Sequence, residues 1–102
     1  MTVEVEFRTT TLKKCYEQVQ EGQRRWGERV ARRYIQRVDL LYAAEDREDL
    51  YKIPSIRFHA LTGDRAGECA LSLDQRMRLI VTFHGKSPVI VRVEEVSKHY
   101  DD

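Results

Sequence analysis

The chain has 102 residues, the size of one domain with a single two-layer core and no need of a disulfide staple. Charged residues make up 34% and aromatic residues 9%, which is globular rather than disordered composition. No run approaches the ~20 apolar residues of a membrane-spanning helix, so no membrane partner is expected. The acidic, alternating opening is not a signal peptide, which sets the expectation of a cytoplasmic protein.

The formal net charge of +1 hides strong segregation. Residues 1–38 carry a net +4, residues 39–51 a net −4, residues 52–92 a net +4 and residues 93–102 a net −3. Local potential therefore matters more to a partner than the total. Cys15 and Cys69 lack a partner at redox or metal-ligand spacing and read as reduced core thiols.

In chain order, Val3, Val5 and Phe7 alternate with Glu4, Glu6 and Arg8, the pattern of a short amphipathic strand. Thr9-Thr10-Thr11 supplies a hydroxyl cap for a helix whose apolar face is Leu12, Cys15, Tyr16 and Val19, ending near Gly22. A second, longer helix is expected from about residues 23–27 to Ala44, with Trp26, Val30, Tyr34, Val38, Leu41 and Tyr42 as its stripe. On another face Arg25, Arg29, Arg33 and Arg37 recur every fourth residue, within a set of six arginines in fourteen residues. Such a ladder repels itself and is either a solvated face or a surface for an anionic partner, nucleic-acid phosphate or an acidic segment. Ala44 to Tyr51 is acidic and weakly helical, and Pro54 ends it.

The block His59 to Phe83 organises the rest. Gly63, Asp64 and Gly67 are turn residues. Cys69, Leu71 and Leu73 alternate with Glu68, Ala70 and Ser72, Asp74-Gln75 makes the connection, and Met77, Leu79, Val81 and Phe83 alternate with Arg76, Arg78, Ile80 and Thr82. After a loop at His84–Pro88, Val89, Val91 and Val93 alternate with Ile90, Arg92 and Glu94 as a last strand, and residues 95–102 form a tail. No helix separates the last three strands, so they pair as an antiparallel meander, with the first strand added at an edge or beside the hairpin. The fold class is α+β: two N-terminal helices on one face of a small, mainly antiparallel twisted sheet, in the order β-α-α-β-β-β. The other face would leave Arg76, Arg78 and Arg92 open, either solvated or offered to an anion.

With the helix pair, His59-Ala60-Leu61-Thr62-Gly63-Asp64-Arg65, Arg78 in the next strand, and an ending Lys98-His99-Tyr100, the chain resembles the RelE/ParE superfamily of bacterial toxins, in its HigB-like or killer-protein branch. The usual ending has Tyr followed directly by His near an acidic pair, and here the order is His99-Tyr100 after Lys98. The resemblance implies a metal-free endoribonuclease without cofactors that cleaves mRNA, typically in the A site of the 30S ribosomal subunit. It also implies a cognate antitoxin, usually of helix-turn-helix type, which alone would contact operator DNA.

Such cleavage needs a base for the 2′-OH, cations for the phosphorane-like transition state and an acid for the leaving 5′-oxygen. His59, Arg78, His99 and Tyr100 are the expected catalytic set. Arg76, Arg92 and Lys98 are expected at the phosphate, and Arg25, Arg29, Arg33 and Arg37 on ribosomal RNA. His84 reads as a solvated loop residue, and Arg65 as a loop stabiliser. Two alternatives stay open: a ParE-like toxin that binds DNA gyrase without cutting RNA, and an inactive binding module of the same fold.

Overall fold

A computed structural model describes residues 3–98. His99 and Tyr100 of the expected catalytic set lie outside the described residues. Strand β1 (Glu4–Phe7) is followed by helices α1 (Thr10–Glu17), α2 (Val19–Trp26), α3 (Glu28–Ala43) and the single turn α4 (Glu48–Tyr51). Then come β2 (His59–Ala60), β3 (Glu68–Ser72), β4 (Met77–His84) and β5 (Ile90–Lys98). The sheet order is β1-β5-β4-β3-β2, with β1 parallel to β5 at one edge and every other pair antiparallel. The α+β class and the helical layer on one face are as expected from the sequence, and β1 takes the edge, one of the two positions the sequence left open.

The helical layer differs in detail. The segment expected to be two helices with a turn at residues 22–27 is three helices. Thr9 caps α1, its Oγ1 accepting from the Leu12 N–H at 3.1 Å. The first break falls at Gln18, in extended conformation, where no glycine or proline marks it. The second falls at Gly27, whose φ of 84° any side chain would disfavour. Gly22 is not a helix end; it is buried in the middle of α2. A Cβ there would stand 3.0 Å from the Ala31 Cβ and 3.3 Å from the Trp26 ring, so its absence sets how closely α2 approaches α3.

Val30, Tyr34, Val38 and Leu41 of α3 are buried, as the periodicity requires, and pack with Leu71, Leu79, Val81, Val91 and Val93 of the sheet. Burying each such side chain contributes on the order of 1.5–3 kcal/mol. Tyr34 reaches α1 as well: its hydroxyl donates to the Leu12 carbonyl at 2.7 Å, and Trp26 lies against its ring at 5.0 Å between centroids.

Strand β5 runs on to Lys98, beyond the end expected at Glu94. The register shifts between Ile80 and Val81, where Val81 pairs with Val93 but Ile80 pairs with Glu95. Glu94 is the extra residue of a β-bulge. The bulge turns Val96 to the core side opposite Leu79, which a strict alternation from Val93 would have denied it. The β3–β4 turn manages without glycine because Asp74 Oδ1 accepts from the backbone N–H groups of Arg76 at 2.8 Å and Met77 at 2.7 Å. No described helix is long and apolar enough to cross a membrane.

Candidate active site: a basic cleft at the uncovered end of β3

Strand β2 has only two residues, pairing His59 with Ala70 and Ala60 with Cys69. The end of β3 beyond Ala70 therefore lacks a neighbouring strand on that side. Two arginines of α3 occupy the position: Arg37 Nε donates to the Ser72 carbonyl at 3.0 Å, and Arg33 Nη1 to the Leu73 carbonyl at 2.8 Å. Burial, then the charge of Arg33, pulls the Arg37 guanidinium below its ordinary pKa, although an arginine stays charged at neutral pH.

Beside this edge opens a cleft of about 390 Å³. Its basic lining comes from four elements: Arg33 from α3, Arg57 from the α4–β2 connection, His59 from β2 and Arg78 from β4. Ser55, Ser72, Gln75 and Asp74 add polar groups, and Ala70 and Met77 the apolar floor. Asp74 is the acidic residue in the lining, and its Oδ1 is engaged by the turn N–H groups.

The local sequence explains how Arg57 and His59 come to face the cleft. Ile56 and Phe58 are buried, and Phe58 meets Tyr51 at 4.7 Å and Phe83 at 6.0 Å between ring centroids. Arg57 between them is exposed and has left-handed backbone (φ 48°, ψ 46°), which costs an L-residue on the order of 1–2 kcal/mol. That turn carries the Arg57 carbonyl to within 2.7 Å of His59 Nδ1. A carbonyl only accepts, so Nδ1 carries the proton and donates. With Nδ1 as the donor, the neutral form of the ring has its lone pair on Nε2, where it can take a proton.

Of the residues singled out in the sequence, His59, Arg78 and Arg33 meet in the cleft. Arg37 stands next to it through Ser72. Arg76 is exposed at the tip of the β3–β4 turn, outside the lining. Lys98 is exposed and pairs with Met77 of the lining. The ladder of four arginines does not lie on one helix: Arg25 belongs to α2, and Gly27 separates it from Arg29, Arg33 and Arg37 on α3. Arg92 is not brought to Arg78. It lies opposite Thr82, where Glu6 at 3.5 Å and Glu94 at 3.9 Å pair with it. Arg57 and Ser55 were missed. The available signal was a cation two residues before His59 just after Pro54, a weak one in a stretch that reads as irregular.

Arg65 stabilises its loop, donating through Nε to Glu68 at 2.6 Å and through Nη2 to Glu95 at 3.1 Å, and so spans β4 from β3 to β5. Both cysteines are buried, and burial pushes each thiol up, away from the thiolate a nucleophile needs. Among the described residues no three His, Cys, Asp or Glu side chains converge so as to hold a metal ion.

A three-helix layer on one face of a mixed five-stranded sheet, with a cationic cleft at one sheet end, defines the architecture of this small α+β protein. Solved structures identify that architecture. The fold is similar to "YoeB/ParE toxin from Agrobacterium tumefaciens" (TM-score 0.58, 19% identity, 96% of this chain and 100% of that one). It is similar to YafQ from E. coli (TM-score 0.66, 16% identity, 96% and 94%) and to YafQ in the DinJ–YafQ toxin–antitoxin complex (TM-score 0.65, 18% identity, 97% and 94%). No protein-family model matches the sequence, and no curated protein does. The chain has the fold of the RelE/ParE-superfamily toxins.

Proposed function

We propose that this protein is the toxin of a type II toxin–antitoxin pair and a metal-free endoribonuclease that cleaves mRNA, in the manner of the HigB-like branch. The observation that carries the reading is the His59–Arg57 arrangement: an imidazole with Nδ1 tied to a backbone carbonyl and Nε2 free, in a cleft shared with Arg33, Arg57 and Arg78. The toxin–antitoxin character of the YafQ structure of the same fold supports the partner assignment.

In the proposed reaction His59 Nε2 takes the proton of a ribose 2′-OH. The 2′-oxygen attacks the adjacent phosphorus, and the bond to the 5′-oxygen breaks, leaving a 2′,3′-cyclic phosphate. Arg78 and Arg57 stabilise the charge that builds on the non-bridging oxygens, which such guanidiniums do bidentately. The leaving oxygen takes its proton from His99 or Tyr100. Cleavage within the ribosomal A site and neutralisation by a helix-turn-helix antitoxin belong to the same proposal.

The test is induction without antitoxin, with primer extension on an abundant mRNA. New 5′ ends inside translated frames, absent with His59→Ala, are the expected result. Growth arrest with intact mRNA overturns the nuclease reading in favour of gyrase inhibition, and unimpaired growth overturns the toxin reading.

A further inference from the structure

The open face of the sheet is divided electrically, and the division sets a direction. On the β1 and β5 side the strands carry Glu4, Glu6, Glu94 and Glu95, with Glu68 on β3. Against these five carboxylates stand three arginines, all engaged. Arg92 pairs with Glu6 and Glu94, Arg65 with Glu68 and Glu95, and Arg8 donates to the Glu94 carbonyl at 2.9 Å. The Thr82 hydroxyl also donates to Glu94, at 2.6 Å. A polyanion crossing this half meets net negative charge and would have to break these pairs.

The other exit from the cleft is different. Arg37 and Arg33 bond successive carbonyls at the end of β3, at Ser72 and then Leu73. The next residue of that helix row is Arg29, one turn or about 6 Å further on. From Arg37 to Arg33 the row advances from Ser72 to Leu73, so its continuation to Arg29 runs in the direction of the β3–β4 turn that carries Arg76. Arg29 and Arg76 are both exposed, and among the described residues no ion pair ties Arg29, Arg33 or Arg76 to a carboxylate.

We propose that single-stranded RNA leaves the cleft along α3, over Arg33 and Arg29 and past Arg76 at the turn, and does not cross the sheet toward Arg92. The inference rests on the RNA-cleavage reading and adds the path of the substrate. It makes Arg29 and Arg76 substrate-binding residues and makes the glutamates of the β1–β5 half a barrier that limits the RNA to one side.

The experiment measures binding of a fluorescein-labelled, uncleavable 2′-O-methyl oligoribonucleotide of about ten nucleotides, a length within the usual range of single-strand sites. Anisotropy titrations across a salt series give the slope of log K against log salt. Each lost phosphate contact lowers that slope by about 0.7 for a single strand. Arg29→Ala and Arg76→Ala are each expected to do so, and Arg92→Ala to leave it unchanged. A slope carried by Arg92 and indifferent to Arg29 and Arg76 overturns the path while leaving the cleavage reading intact. The absence of salt-dependent binding by the wild-type protein also overturns the path, while the cleavage reading stands or falls with the primer-extension test.

Discussion

His59 Nδ1 lies 2.7 Å from the backbone carbonyl oxygen of Arg57, two residues earlier in the chain. The contact exists because Arg57 adopts left-handed backbone between two buried residues, Ile56 and Phe58. A strained residue thereby selects the tautomer of the histidine beside it. The strain is held in place by packing on either side, as is common where geometry serves a site.

Replacing His59 with Ala is expected to lower RNA cleavage by roughly 10²–10⁴-fold, the usual worth of a positioned proton-transfer group. The protein should stay folded, because His59 is exposed and contributes no core packing. Cleavage in a translation extract, compared with a circular dichroism melt, checks both halves.

Arg57→Gly separates the side chain from the carbonyl. Glycine adopts the left-handed conformation without the ~1–2 kcal/mol cost to an L-residue, so the contact to His59 and the stability should survive. Loss of the guanidinium from the cleft is expected to reduce cleavage by roughly 10²–10³-fold. A melting temperature at or above wild type with impaired cleavage is the expected pair of results.

Asp74 can be tested as a substitute for a turn glycine. Asp74→Ala removes the acceptor of two backbone N–H groups and is expected to cost about 1–2 kcal/mol in urea unfolding. Asp74→Asn keeps an Oδ1 and should retain most of that stability. It also removes a negative charge from the cleft lining, so RNA affinity should rise rather than fall.

Gly22→Leu is expected to destabilise by about 1–3 kcal/mol, since a side chain there must push α2 from α3 or displace the Trp26 ring. Combined with Ala31→Gly, which removes the atom 3.0 Å away, the loss should be smaller than the sum of the two single changes. Four urea curves complete this cycle.

The Tyr16 hydroxyl donates to Asp39 Oδ1 at 2.6 Å, and this bond, ahead of burial, pushes the phenol from 10.0 up to about 12. The folded-state value is raised. The contact therefore stabilises fully below the unfolded value of about 10 and ceases to do so as pH rises through about 12. Phenolate absorbance should show at least two late-titrating tyrosines, Tyr16 and the buried Tyr34, whose phenol burial pushes up, and Asp39→Asn should bring Tyr16 alone back toward the ordinary value.

The elements legible in the sequence were those whose burial follows a local period. Val30, Tyr34, Val38 and Leu41 announced the core face of α3, and Leu71, Leu79, Val81 and Val91 that of the sheet, because a helix or strand against a core must repeat its apolar residues at 3.6 or 2. Thr9 was legible as a cap, since its hydroxyl acts within three residues of sequence. His59 and Arg78 were singled out as a catalytic pair by residue type together with the resemblance, whereas Arg33 was expected on ribosomal RNA with the helix ladder and lines the cleft instead.

Tertiary structure decided what depends on partners far along the chain. Gly22 reads as a helix end until Ala31 stands against it. Glu94 reads as an ordinary strand residue until β4 pairs Ile80 with Glu95 and leaves it in a bulge. Arg92 reads as a free cation until β1, parallel to β5, brings Glu6 beside it. Arg33 and Arg37 read as a ladder either solvated or offered to an anion until a two-residue β2 leaves the Ser72 carbonyl to Arg37 and the turn that follows leaves the Leu73 carbonyl to Arg33. A period records which side of an element is buried. Which charge meets which is set by strand order and register, and those are settled only when distant segments pair.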